Sequence, residues 1–215
     1  ISQSLDLYPR NLLLNQFKYN LENKNYVNDF DCQNLSHVIA EILYITANAL
    51  SSQYIYNFSN FYLNLSKYLN NDFHSFDTLF AENFYKENNF EEAKKIYEKI
   101  GKKGEIFFWY STKQIARILI KQDEEIKALQ TLSNAYKKIK NKTIYQKYDY
   151  AKFLKTGEKY SQSIKIYTEI IEEIKKDHPL YPKVTDGRGV SYERIGNWTK
   201  AEKDLLASLE ASQDQ

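Results

Sequence analysis

The stretch AENFYKENNFEEAKKIY, residues 81–97, decides the fold of this chain. Ala81 and Ala93 stand twelve residues apart, each followed within one helical turn by a large aromatic residue, Phe84 and Tyr97. Asn89-Phe90-Glu91-Glu92 between them has the form of a helix start, with Asn89 as cap, so the stretch reads as two helices joined by a tight turn. The arrangement recurs in both directions. The first small residue returns as Ala47, Ala81, Ala116, Ala151 and Gly189, at steps of 34, 35, 35 and 38. Twelve residues after each come Ser59, Ala93, Ala128, Ser163 and Ala201. Large residues keep the same register: Leu50, Phe84, Leu119, Leu154 and Tyr192 after the first small residue, and Leu63, Tyr97, Leu132, Tyr167 and Leu205 after the second. A period near 34 with two small residues per unit predicts a stacked array of helical hairpins. The small side chains sit where paired helices cross, because a larger residue there would push the backbones apart.

These residues also carry a resemblance. Gly189-x-x-Tyr192, then Gly196-Asn197-Trp198 and Ala201-x-x-x-Leu205, resemble a tetratricopeptide repeat, as do Ala151, Leu154, Tyr160, Ser163 and Tyr167. The third unit departs from the pattern, with Glu125 where the others place Tyr56, Phe90, Tyr160 or Trp198. The resemblance covers roughly residues 34–215. The tail, from Gly187-Arg188-Gly189 through Trp198 to Glu210, is similar to long multi-repeat tetratricopeptide proteins of alphaproteobacteria, whose arrays usually continue further. The resemblance implies an all-α fold, a right-handed superhelical solenoid of antiparallel helix hairpins, and a binding scaffold with no single biochemical activity attached.

Residues 1–33 fall outside the register. Leu12, Leu13, Leu14, Phe17 and Leu21 form a helical apolar stripe after Pro9, which predicts a helix over 9–22, read as the remnant of a truncated upstream unit. The polar segment 23–33 reads as a connector. Residues 34–215 then form one array of about five hairpins: 34–51 with 54–70, 74–87 with 90–101, 105–121 with 124–140, 142–157 with 160–176, and 180–196 with 198–212. Asp123 and Asn197 stand as further helix starts, and Gly157 and Gly196 as left-handed helix ends. Asp177-His178-Pro179-Leu180-Tyr181-Pro182 accounts for the longer last step. The chain contains no Met and begins Ile1-Ser2-Gln3, so it reads as an excised segment of a longer protein, and the resemblance implies a bacterial one. The compartment stays open between cytoplasm and cell envelope.

Composition excludes several classes. Hydrophobic residues make up 42% and charged residues 27%, enough for a core and ordinary for a globular protein. A net charge of +2 is too small to imply a nucleic-acid partner. One cysteine, Cys32, rules out an internal disulfide framework, and no apolar run reaches the length of a membrane span. His37, His74 and His178 lie in separate units without partners at metal-ligand spacing. Cys32 lacks a base beside it. Gly101-Lys102-Lys103-Gly104 lacks the spacing of a phosphate loop, and the Gly187-Arg188-Gly189 stretch is better explained by helix packing. Carboxylate pairs such as Glu91-Glu92 read as solvated helix faces. The pattern calls for no catalysis and no cofactor.

Binding is the better lead. Relative to the first small residue, offsets −6, −3, +1 and +4 share one helical face, and in the resembling family that face lines a concave groove. The candidates on it are Tyr44 and Asn48 (with Glu41 and Ser51), Tyr85 (with Ser75, Thr78 and Glu82), then Tyr110, Lys113 and Arg117, then Tyr145, Tyr148, Lys152 and Lys155. Tyr and Arg anchor interfaces well, and the cations suit an acidic or carboxylate-ended peptide of another protein. A Lys- and Tyr-rich composition would also place such residues on any exposed helix. Tyr44 stands where co-chaperone members of the family place a Lys, so the resemblance does not extend to their carboxylate clamp. The rival function is RNA binding by pentatricopeptide-like repeats of period 35, with the basic run from Lys137 to Lys142 in support. A third reading is a spacer between other domains. Trp198, Leu205, Leu206 and Leu209 extend around the last helix, which predicts self-association through a truncated C-terminal helix.

Lengthening a crossing residue tests the register directly. Ala93→Leu and Ala128→Leu are each expected to destabilise the fold by about 1–3 kcal/mol through overpacking. Thermal melts within about a degree of wild type for both would show the register to be misplaced.

Overall fold

The computed structural model describes residues 2–24, 30–72 and 75–213, and every regular element within them is an α-helix. In chain order the helices are α1 (Ser2–Leu7), α2 (Leu12–Glu22), α3 (Leu35–Ser52), α4 (Tyr56–Leu69), α5 (Ser75–Lys86), α6 (Phe90–Gly101), α7 (Glu105–Lys121), α8 (Glu125–Lys138), α9 (Ile144–Thr156), α10 (Tyr160–Glu173), α11 (Tyr181–Arg194) and α12 (Trp198–Gln213). The ten expected hairpin helices are all present. The expected start of the second hairpin at His74 lies outside the described residues. The first helix of the chain differs from expectation. α2 begins at Leu12 because the Asn11 side chain accepts the Leu14 amide at 3.0 Å, while Pro9 falls in the turn after the unexpected α1. Pro182 opens α11 within its first turn rather than breaking a helix.

The chain divides into two compact units, Ile1–Asp123 and Glu124–Gln215. In the first, α3 pairs with α4 and α5 with α6, and α7 packs on α6. In the second, α8 packs on α9, and α9 pairs with α10 and α11 with α12. The division falls at the third unit, where the sequence loses its aromatic residue to Glu125. Nine of the ten small register residues are alanines or serines buried to within a few per cent, Ala81, Ala93 and Ser163 completely. In the fourth unit the Ser163 hydroxyl donates to the Ala151 carbonyl at 2.9 Å, so the two small positions touch. Around the first unit's crossings the core closes over Tyr97, Ile100, Phe107 and Ile118; around the second's, over Tyr167, Ile170, Leu180 and Val184. Burial of each such side chain contributes about 1.5–3 kcal/mol.

One turn geometry recurs after α3, α5, α7, α9 and α11. Tyr54, Asn88, Asp123, Glu158 and Gly196 all have left-handed backbone, with φ between 59° and 78°. Each lies seven residues after the first small residue. In four of these turns the next amide donates back to the carbonyl five residues earlier: Ile55 to Leu50 (3.0 Å), Asn89 to Phe84 (2.8 Å), Lys159 to Leu154 (2.8 Å) and Asn197 to Tyr192 (2.9 Å). This closure satisfies orphan carbonyls at the helix end and makes the turn length uniform. Gly157 was expected to be the left-handed residue of its turn; its φ is −84°, and Glu158 takes that role. Asn89 makes no side-chain capping bond, since its φ, ψ of −83°, 69° are not those of a β-region cap. Asp123 is likewise the left-handed residue, and Glu124 precedes α8 in its place.

Stacking of one hairpin on the next explains a glycine. A Cβ on Gly187 would sit 2.5 Å from the ring of Tyr167, which is fully buried between α10 and α11. Gly187→Ala is therefore expected to lose about 1–3 kcal/mol, read as a lowered urea midpoint. Unchanged stability would mean that α10 and α11 do not pack through Tyr167.

Candidate functional site on the inward helix face

In the first unit the inward positions form a connected polar cluster. Glu82 and Arg117 share offset +1 in neighbouring units, which places them opposite each other on α5 and α7. The Arg117 guanidinium donates to both carboxylate oxygens of Glu82 at 3.1 Å each and to Gln114 at 3.1 Å. It lies over the Tyr85 ring, 3.7 Å from its centroid. The Tyr97 hydroxyl donates to Glu82 at 3.3 Å, and its ring meets Tyr110 edge-on at 6.1 Å. Burial, then the nearby Glu82 charge, pushes the Tyr110 phenol up to about 12, so it stays protonated as a donor. Tyr44 packs against Phe76 with ring centroids 5.7 Å apart, and burial raises its pKa. Asn48 is exposed on α3, and Lys113 is half-buried on α7.

Two sequence expectations change here. Ser51 was read as facing the groove, yet it is buried and donates to Asn83 at 2.6 Å. Asn83, also buried, donates in turn to Ser59 and Asn60 at 2.8 Å each, so α3, α4 and α5 are tied by amides and hydroxyls. Arg117 was read as a cation offered to a ligand, and its charge is matched by Glu82. The shared +1 offset was legible in the sequence; the pairing needed the helices to be placed.

In the second unit Tyr145, Tyr148, Lys152 and Lys155 lie along α9. The Tyr145 ring stands 6.4 Å from His178, and the Tyr148 ring 6.2 Å from Tyr167. Lys152 is exposed and Lys155 half-buried. Beside Tyr148 opens a cavity of about 330 Å³ lined by Pro179, Pro182, Lys183, Asp186, Ser208 and Ser212. A second cluster escaped the sequence reading. Arg188 donates to both oxygens of Asp204, at 2.6 and 2.8 Å, and to Thr168 at 3.1 Å, clamping α10, α11 and α12. His37 and His178 each accept a backbone amide in a connector, from Asp31 and Leu180 at 3.1 Å; His74 lies outside the described residues. Among the described residues no group of three or more His, Cys, Asp or Glu could hold a metal ion, and no helix is long and apolar enough to cross a membrane.

The two end hairpins expose positions that the others bury. Five residues before the first small residue stand Phe76, Ser111, Gln146 and Val184, at most 5% exposed, whereas Ile42 is 57% exposed. Four after the second small residue, Leu63, Tyr97, Leu132 and Tyr167 are at most 1% exposed, whereas Leu205 is 37% exposed. Ile39 and Ile45 extend the bare face of α3, and Trp198, Leu206 and Leu209 that of α12.

Several solved structures share this architecture. YrrB, described as a TPR protein with an unusual peptide-binding site, is 16% identical over 80% of this chain and 86% of its own, with a TM-score of 0.51. BtubC (BKLC) from P. vanneervenii is 10% identical over 82% and 81%, with a TM-score of 0.64. MamA is 12% identical over 81% and 92%, with a TM-score of 0.54. No protein-family model and no curated protein matches the sequence. The chain has the tetratricopeptide-repeat fold.

The Arg117 cluster makes its own prediction. Arg117→Lys keeps the charge but loses the two-pronged bond and the flat stack on Tyr85. Because the pair is partly solvated, the expected loss is about 0.5–1.5 kcal/mol, measured by denaturant titration beside Glu82→Gln. Wild-type stability in both variants would show the cluster to be loose.

Proposed function

We propose that this chain is a protein–protein interaction scaffold, and that the inward face of α9 receives an extended acidic segment or helix of a partner. The observation that carries the proposal is the pairing of Tyr145 and Tyr148 with Lys152 and Lys155 on one helical face. It is bordered by a cavity of about 330 Å³ with its own Lys183. Aromatic rings supply rigid area, the amines supply the complement to carboxylates, and the cavity supplies room for a side chain. Within the first unit by itself, Lys113 on α7 and the exposed Asn48 on α3 offer polar groups of their own. The tetratricopeptide fold, shared with a protein described as having a peptide-binding site, supports the class of function.

RNA binding is the weaker reading. Lys142 of the basic run sits 5.0 Å from the Tyr136 ring centroid and donates to the Ile139 carbonyl, so part of that run serves the fold.

Lys152→Glu/Lys155→Glu is expected to weaken binding of an acidic peptide at least tenfold, about 1.4 kcal/mol, with the melting temperature unchanged. Arg117 is left intact, since its reversal would set two carboxylates against each other. Equal affinity in variant and wild type would remove α9 from the site. Salt-sensitive binding of single-stranded RNA, lost in the same variant, would favour the rival.

The bare end faces support self-association. We propose that Leu205, Leu206 and Leu209 of α12 pack on a second copy, because the register leaves Leu205 uncovered where its counterparts are buried. Sedimentation is expected to show concentration-dependent assembly, abolished by Leu206→Glu/Leu209→Glu. A monomer at high concentration would overturn this.

A further inference from the structure

The N-terminal helix α2 lies across the start of α7, where its residues act as a ligand would. The first amides of α7 need acceptors, and its N-cap residue Gly104 supplies no side chain. The acceptor comes from 90 residues away: the buried Gln16 side chain takes the Ile106 amide through Oε1 at 3.2 Å. Gly104 makes room for it, since a Cβ there would fall 2.4 Å from that oxygen. Three residues along α2, the Tyr19 hydroxyl donates to Glu105 at 3.3 Å. One turn earlier, Leu12 and Leu13 pack against the core around Tyr97, Ile100 and Phe107. These four residues occupy one face of α2 at helical spacing. The fit is incomplete, because a cavity of about 180 Å³ remains between Leu12 and Leu13 on one side and Ser75, Thr78 and Phe107 on the other. Unfilled volume at a joint forfeits contacts that a larger side chain would make. Ser75 and Thr78 are themselves inward positions of the second hairpin.

We propose that this surface of α5 and α7 is a docking site for an amphipathic helix of a partner protein, filled in cis by α2. The displacing helix carries the same face, Leu-Leu-x-x-Gln-x-x-Tyr, with a bulkier apolar residue in the leucine pair. The specificity comes from two fixed polar groups, the Ile106 amide and the Glu105 carboxylate, and from the cavity that rewards the larger residue. The proposal rests on the scaffold function above and names a partner chemistry for a second surface.

The test uses the full chain and a labelled synthetic peptide of residues 11–23, followed by fluorescence anisotropy. In wild type the tethered α2 competes, so the apparent affinity is reduced by the fraction of open sites. Leu13→Asp/Gln16→Ala in the chain releases α2, and the peptide is expected to bind that chain roughly tenfold tighter or more. A peptide carrying Leu13→Phe is expected to bind tighter than the unaltered one. Equal binding to both chains, or none to a released chain of wild-type helicity, overturns the proposal. Amide exchange on the wild-type chain decides the case in which the double variant fails to fold. Faster exchange in α2 and at Ile106 than in α5 and α6 supports a displaceable occupant; protection of α2 equal to that of α6 overturns it. Lys152 and Lys155 are untouched throughout, so acidic-peptide binding on α9 stands or falls separately.

Discussion

Close approach of helix backbones at the small residues is the constraint on which the rest depends. Where Ser163 reaches the Ala151 carbonyl, the two helices of a hairpin are in backbone-to-side-chain contact. No side chain much larger than a methyl or hydroxymethyl group fits there without parting the helices. That separation determines how far the flanking aromatic residues reach. Tyr167 spans from α10 to the backbone of α11 and meets it at Gly187. A close crossing within one hairpin thereby presents a ring to the next, and a buried core grows hairpin by hairpin.

The turns keep that spacing constant. Left-handed backbone costs a residue other than glycine, asparagine or aspartate about 1–2 kcal/mol, yet Tyr54 and Glu158 adopt it. The bond from the following amide to the carbonyl five residues back offsets this at Tyr54 and Glu158, where the alternative is an unsatisfied helix end. Turn chemistry is thus imposed by the helices on either side. This is why Gly157, placed one residue early, is not the residue that turns.

The inward face shows the same economy applied to charge. Arg117 reads as a ligand-binding cation when α7 is considered alone, and becomes half of an ion pair once α5 stands beside it. Arg188 and Asp204 repeat the device in the second unit. Among the described residues Lys152 and Lys155 on α9 stand outside these ion pairs, and they lead the set proposed for a partner. At the other end of the chain, α2 offers a physical example of what such a surface accepts: an apolar pair, an amide acceptor and a phenol on one helical face.

The hairpins and the buried register were legible in the sequence by itself. A period of 34 or 35, set by helix lengths and a seven-residue path to the turn, repeats small and large residues at positions that one-dimensional inspection recovers. Local order in a repeat fold is short-ranged, so each unit announces itself. Contacts between residues far apart in the chain left no periodic trace. Gln16 on Ile106 joins a non-repeating helix to the array, Asn83 bridges Ser51 and Ser59 at one junction, and Ile42 is exposed where its counterparts in the other hairpins are buried. Tertiary structure alone decided which polar residues are consumed by folding and which remain available, because hydrogen bonds and ion pairs depend on the three-dimensional placement of both partners, whereas helix periodicity depends on one chain segment at a time.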